Sequence, residues 1–356
     1  MKILAIETSC DETAITLLNI NGALERPDIK ILGNTLLSQV AIHQQYGGVY
    51  PNLAKREHEK NLPSLLEQTL KEAGMNDEHP NIDIIAVTNG PGLEPALWTG
   101  INFATELGKK WNKPVVPVNH MEGHLFSVLY NMLETECLTL PGLALLISGG
   151  HTELVYIKDF GNYKIIGRTR DDAVGEAFDK TARMLGLPYP GGPEISRLAE
   201  NARKRSPKDI IRLPRPMIHS KDLDFSFSGL KTAVLYRIRL EKTMNNKFKE
   251  DMARAFEDAA IEVLVVKTRR ALFELGNKIK TLIVAGGVSA NIPLSRELKK
   301  TTDRFPNITL RIPAKLLTTD NAIMIGIAAF IQIRKKPKIL SKKKPIIASG
   351  NLSFTS

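Results

Sequence analysis

"KILAIETSCDETAITLLNI", residues 2–20, carries apolar residues on both sides of a short polar turn and reads as strand, turn, strand. The same form returns in "LALLISGGHTELVYIKDF", residues 143–160. After each hairpin come a further strand-like segment, an amphipathic helix and an apolar strand ending in glycine. That strand is "IDIIAVTNGPGL" (82–93) in the first half and "IKTLIVAGGVSAN" (279–291) in the second. Each half then runs into a helix, a short strand ("KPVVPVN", 113–119, and "NITLRIP", 307–313) and a final helix. The pattern predicts a duplicated α/β fold with two lobes around a cleft. The expected boundaries are 1–130 for the first lobe, 131–333 for the second with a helical insertion, and 334–356 for a basic tail.

The final helix of the first half opens on "NHMEGH", residues 119–124. His120 and His124 are four residues apart, so they lie on one helix face at the spacing a metal pair needs. H-E-x-x-H metalloproteases share that spacing, but their glutamate follows the first histidine directly. Here Glu122 is two residues on and faces elsewhere. An interior histidine beside a capping one is the plainer reading of the pair alone. The final helix of the second half starts around "TTDNAIMIGIAAF" (318–330), with Asp320 at its N-terminus. If the halves are related by a pseudo-twofold axis, these helix starts face each other, and Asp320 becomes the third ligand. Two histidines and a carboxylate make a site for iron, zinc or manganese. An ordinary helix cap is the alternative role for Asp320.

The 356 residues can bury a large core, and 43% of them are hydrophobic. No apolar run reaches the length of a membrane span, and the chain opens directly on strand sequence, so a cytoplasmic protein without a membrane role is expected. Cys10 and Cys137 are the only cysteines, which excludes a disulfide framework and a Cys-rich zinc site. Forty-nine Lys and Arg against 38 Asp and Glu leave +11, which favours a polyanionic partner such as nucleic acid. Part of that excess sits in "RKKPKILSKKKP", 334–345, expected to be a mobile tail.

No Walker or Rossmann glycine motif is present. Glycines instead mark strand ends and hairpin turns: "NGPGL" (89–93), "SGGHT" (148–152) and "AGGVSAN" (285–291). Such turns let backbone N–H groups approach phosphate oxygens and would suit a nucleotide, although tight turns alone also demand glycine. In "RTRDDAVGEAFDKTARMLGLPYPGGPEI" (168–195), Asp172, Glu176 and Asp179 share a helix face, where unneutralised carboxylates repel. Ribose hydroxyls or a metal would relieve them. "DFSFSGLKTA" (224–233) opens a helix with Ser226 or Ser228 as caps and Lys231 placed to meet a phosphate or solvent.

Taken in order, "IETSCDETA", "QYGGVYP", "NGPGLEPAL", "NHMEGH", "ISGGHT", "DDAVGEAFDK", "YPGGP", "SFSGLKTA", "AGGVSAN" and "DNAIMIG" resemble the universal tRNA threonylcarbamoyladenosine transferase family, in its bacterial and organellar branch. The resemblance covers about residues 1–333. It implies an actin-like, sugar-kinase-like α/β fold. It also implies transfer of a threonylcarbamoyl group from threonylcarbamoyl-adenylate (threonylcarbamoyl-AMP) to the N6 amine of the adenosine 3′ of the anticodon, in tRNAs reading codons that start with A. His120, His124 and Asp320 would hold one divalent metal, iron or else zinc. Leu146, Ile147, Ser148, Gly149 and Gly150 would contact the phosphate and acyl part. Asp179 and Gly192 would hold the ribose with Glu176 nearby, and Asn291 the adenosine side. Asp11, on the first hairpin turn, is the expected base. Implied partners are tRNA, an inactive paralogue, a small ATPase and a synthase that supplies the adenylate. Where the family reads "VVPExASRxH", this chain has "VYPNLAKREH" (49–58), with Asn52 for glutamate and Lys55 for serine. A metalloprotease, a small-molecule kinase of the same fold and a non-catalytic partner subunit are the competing readings.

Overall fold

A computed structural model describes residues 1–130, 132–133, 135–205, 211–241, 243–341 and 344–354. The first half runs β1 (Lys2–Glu7), β2 (Glu12–Ala23), β3 (Arg26–Ser38), α1 (Val40–His43), α2 (Pro51–Glu72), β4 (Ile84–Gly90), α3 (Glu94–Trp111), β5 (Val115–Asn119) and α4 (His120–Phe126). The second runs β6 (Gly142–Ile147), β7 (Thr152–Asp159), β8 (Asn162–Arg168), α5 (Val174–Met184), α6 (Gly191–Arg205), α7 (Ser228–Leu240), α8 (Asn246–Leu275), β9 (Thr281–Ala285), α9 (Ile292–Thr302), β10 (Thr309–Arg311) and α10 (Ala322–Lys335).

The duplication is present strand for strand. One sheet has the order β3-β2-β1-β4-β5, and the other, from its corresponding edge, β8-β7-β6-β9-β10. The opening stretch makes the first hairpin, with Ile6 opposite Ile15, and β1 also pairs parallel with β4, Ile6 beside Val87. A parallel pair needs a crossover, which α2 supplies. β1 is buried from Ile3 to Glu7, and strands covered on both faces read as the near-continuous apolar run seen here. In the second half β6 pairs antiparallel with β7 and parallel with β9, and β9 with β10.

The chain divides into two compact units. One comprises Met1–Thr139, Asp159–Tyr163 and Pro313–Ser356, the other Leu140–Lys158 and Lys164–Ile312. The sequence had placed residues 131–333 together. Instead, α10 packs against β1, β2, β5 and α4 of the first unit. Its residues are buried all round from Ala322 to Ile331, and a helix apolar on every side must be covered on every side. Gly123 in "NHMEGH" sets how closely the two helices meet: a Cβ there would lie 3.0 Å from both Met324 Cγ and Ile325 Cδ1.

Beyond α10 the expectation of a mobile tail is also revised for the described residues, which exclude Lys342 and Lys343. A short 3₁₀ helix covers Pro337–Ser341. Ser349 N–H then donates to Asn89 O (2.9 Å), Gly92 N–H to Gly350 O (3.2 Å) and Asn119 Nδ2 to Ser353 O (3.4 Å). Ala348 and Ile346 join the apolar cluster of the first unit.

Candidate functional site

In the first unit, Asn119 at the end of β5 starts α4: its Oδ1 accepts the N–H of Met121 at 2.8 Å and of Glu122 at 3.3 Å. The helix places His120 and His124 a turn apart with ring centroids 4.7 Å from each other, edge to face. Asp320 Oδ1 lies 3.3 Å from His120 Nε2 and 3.2 Å from His124 Nε2. One ligand atom from each of the three falls within 4.8 Å of the others. Asp320 does not cap α10. That role belongs to Asn321, whose Oδ1 accepts Met324 N–H at 2.9 Å, so the Asp320 carboxylate is left to face the histidines.

The trio comes from a single unit, since Asp320 belongs with Met1–Thr139 and not with the second lobe. His124 is fully buried, and neither of its ring nitrogens has a well-formed hydrogen bond. A buried imidazole left so is costly, and a divalent cation beside Nε2 and Asp320 would satisfy it. Electrostatics agree. Burial would raise the Asp320 carboxyl, but His120 and His124 hold it far below the usual range. Burial would lower His120, yet Asp320 and Glu7 push it well up, while burial keeps His124 low. The two carboxylates thus favour positive charge at His120, the sign a bound cation would carry.

Glu7 is the residue that sequence reasoning passed over, although it stood in the quoted "IETS". Its Oε2 lies 3.0 Å from His120 Nδ1, with Ser9 Oγ 3.2 Å from the same nitrogen. Thr88 Oγ1 on neighbouring β4 donates to Glu7 Oε2 (2.6 Å), and Ser9 N–H donates to Oε1 (2.5 Å). Burial would raise this carboxyl, but His120 lowers it below its ordinary value. An ionised Glu7 that accepts an Nδ1 proton would leave Nε2 free to act as a ligand atom.

Asp11 lies buried on the hairpin turn of the same unit, where its main chain accepts Gln39 N–H at 2.8 Å. The neighbouring Glu12 is pushed up to about 10 by burial, then by Asp11 and Asp320. His58 supports this turn: its Nε2 is 3.0 Å from Cys10 O and its Nδ1 2.8 Å from Thr13 Oγ1. Asn52 and Lys55, the departures from the family pattern, lie on the exposed side of α2, away from buried Ala54 and His58. Glu122, half-buried and raised by desolvation, takes a hydrogen bond from the Tyr163 hydroxyl instead of joining the trio. Glu122 therefore does not take the place of the glutamate of an H-E-x-x-H site.

The second unit gathers most of the remaining candidates in two groups. Ser148 N–H bonds His151 O (2.9 Å) and His151 N–H bonds Ser148 Oγ (3.1 Å), closing the "SGGHT" turn. Gly149 and Gly150 are exposed with open space where a Cβ would stand. Leu146 and Ile147, expected to touch substrate, are fully buried strand residues and offer only backbone. Gly175, at the start of α5, comes so close to this turn that a Cβ would sit 2.6 Å from Ser148 O.

The other group surrounds the start of α6. Asp179 Oδ1 accepts Gly191 N–H at 2.7 Å, and Gly192 is open. Asn291 caps α9 and donates Nδ2 to Ser196 Oγ (3.0 Å) and Glu257 Oε1 (2.7 Å). Glu257, fully buried, also binds Arg203 at 2.6 Å, a support the sequence hid inside the apolar pattern of α8.

The acidic face is neutralised within the chain. Asp172 accepts Lys180 at 2.9 Å and Lys231 at 2.8 Å, and Glu176 pairs with Lys180 at 2.7 Å. Lys231 is thus an internal partner and not a free phosphate contact. Asp171 caps α7, taking Ser226 Oγ and Ser228 Oγ at 2.6 Å each and Phe227 N–H at 2.8 Å.

Residues 30–327 match the family model described as tRNA N6-adenosine threonylcarbamoyltransferase. The chain is 45% identical over 344 residues to the protein of that name from Burkholderia ambifaria (strain MC40-6), covering 95% of this chain and 94% of the other. It is 46% identical over 358 residues to the one from Paraburkholderia xenovorans (strain LB400), covering 100% and 99%. Among solved structures it is similar to HypF from T. kodakarensis, with TM-score 0.58 at 12% identity over 96% of this chain and 49% of that one. A likeness at that identity is one of fold, and it agrees with the duplicated actin-like, sugar-kinase-like class.

Proposed function

The chain belongs to the tRNA N6-adenosine threonylcarbamoyltransferase family, and from that premise we propose how its residues divide the work of an acyltransferase acting on tRNA. His120, His124 and Asp320 hold one divalent metal. The buried His124 imidazole, beside Asp320 yet without a well-formed hydrogen bond, is the observation that carries this assignment. Two nitrogens and an oxygen suit several divalent metals; the family resemblance favours iron, with zinc second. When bound, the metal supplies Lewis-acid polarisation of the donor's carbonyl or phosphate oxygen.

The donor is threonylcarbamoyl-adenylate, an acyl-phosphate mixed anhydride that is already activated. The protein therefore mainly orients it and stabilises developing charge. Backbone N–H groups of Gly149 and Gly150 face the phosphate and acyl part, with Ser148 closing the turn. Asp179 and Gly192 take the ribose, Glu176 stands near it, and Asn291 takes the adenosine side. In the transfer, the N6 nitrogen of the adenosine 3′ of the anticodon bonds to the carbonyl carbon, the carbon–oxygen bond to phosphate breaks, and AMP leaves. Asp11 takes the N6 proton. Glu7 fixes the His120 ring and touches no substrate. An inactive paralogue and a small ATPase are its proposed partners and the cytoplasm its proposed location; among the described residues no helix is long and apolar enough to cross a membrane.

The test is direct. Purified protein, with the partner subunits, is incubated with threonylcarbamoyl-adenylate and unmodified tRNA, and the digested tRNA is searched for the modified nucleoside. Product is expected from the wild type and its loss from His120→Ala and Asp320→Ala. Undiminished product from both variants would remove the metal's role.

A further inference from the structure

Residues 321–356 carry seven Lys and Arg and no Asp or Glu, against a net charge of +11 for the whole chain. A run of like charges repels itself and is normally a solvated, loose segment. This one is held on both sides. Upstream, α10 is buried against the first sheet and runs on through Lys336 N–H to Gln332 O at 2.8 Å. Downstream, the bonds from Ser349, Gly350 and Ser353 to Asn89, Gly92 and Asn119 fasten the chain again. Phe354 closes on Tyr163 with ring centroids 5.3 Å apart.

Within this strap Lys335 is neutralised by Asp159 at 2.7 Å, and Arg334 lies over the Phe330 ring. Lys336, Lys338 and Lys344 stand exposed; Lys336 is drawn electrostatically to Glu122, and among the described residues none of the three makes a close ion pair. Holding like charges near one another costs free energy unless an external anion offsets it. A regularly charged polyanion suits several exposed lysines on one anchored segment better than a single small anion does. We infer that Lys336, Lys338 and Lys344 bind the phosphate backbone of the substrate tRNA. The inference rests on the tRNA reading above and adds where the tRNA is gripped.

α10 has 14 residues, so its basic end lies about 20 Å from its start beside Asp320. Phosphate contacts that touch neither the acyl donor nor the amine are made equally before and during the transfer. They position the tRNA without entering the chemistry, and they set its affinity and KM but not kcat.

The test compares the full chain carrying Lys336→Gln, Lys338→Gln and Lys344→Gln with a charge-matched control carrying Lys60→Gln, Lys71→Gln and Lys300→Gln. Binding of unmodified tRNA is measured over a salt series, and transfer is measured in the same preparations with partner subunits present. The strap variant should bind about tenfold more weakly near physiological salt, with the plot of log affinity against log salt flatter by about 2. Its KM for tRNA should rise with kcat unchanged, and the control should stay close to wild type. Equal weakening in the two variants, an unchanged salt slope, or a fall in kcat alone would overturn the inference. No transfer by the wild type would instead overturn the tRNA reading itself.

Discussion

Glu7 is wholly buried, and its two carboxylate oxygens are committed to Ser9, Thr88 and His120. With Asp320 it gives the site two negative charges, enough to balance a divalent ion held by neutral imidazoles. Glu7→Gln keeps the shape but loses the charge and the fixed acceptor. Metal affinity, measured by competition with a chromogenic chelator, should fall about 10- to 100-fold, and the metal-free melting temperature should fall too, since a buried charged pair loses one partner. Unchanged affinity would reduce Glu7 to a packing residue. His124 leads to a second test. A divalent metal at 100 times its dissociation constant should stabilise the wild type by about 2.7 kcal/mol. The same addition should not shift the melting temperature of His124→Ala or Asp320→Ala, and an equal shift in those variants would place the metal elsewhere.

The pairing of α4 with α10 sets the distance between the histidines and Asp320. Gly123 is its closest point, and the side chains a Cβ would meet belong to α10. Gly123→Ala should overpack this contact by about 1–3 kcal/mol and move Asp320 from the imidazoles, weakening metal binding as well as folding. A variant as stable and as metal-tight as wild type would show that Met324 and Ile325 adapt freely.

The first hairpin depends likewise on α2 through His58. Burial holds that imidazole below the usual histidine range. A histidine depressed in the folded state contributes stability that is complete above its unfolded value of about 6.5 and is lost as pH falls below it. The melting temperature of His58→Gln should therefore fall less steeply than wild type as pH drops through this range. Parallel curves would exclude His58 as a source of the acid sensitivity.

At the scale of the molecule, residues beyond 333 complete the first unit. A chain ending at Ile333, where the family motifs also stop, keeps every metal ligand but loses Ile346 and Ala348 from the apolar cluster and the bonds to Asn89, Gly92 and Asn119. It should be less stable by about 2 kcal/mol or more, seen as a melting transition several degrees lower by calorimetry. An unaltered transition would make the strap a passive covering.

Features with a short sequence period were readable from the residues themselves. Alternation and apolar runs gave the two hairpins and the repeated strand order, and four-residue spacing gave the histidine pair, because these depend on neighbours in the chain. Features that depend on a distant partner were not. Lys231 was open to solvent or phosphate in the sequence, and only the approach of α7 to Asp172 paired it. Leu146 and Ile147 belonged to a substrate motif, yet their place on a central strand buries both. The sequence by itself determined that this protein is a duplicated α/β chain carrying two histidines and an aspartate suited to a metal. The tertiary structure decided that all three candidate ligands, and the basic strap after them, belong to the first unit. The physical reason is α10: a helix apolar on all sides goes where it can be wholly covered, and it carries Asp320 and the chain's end there with it.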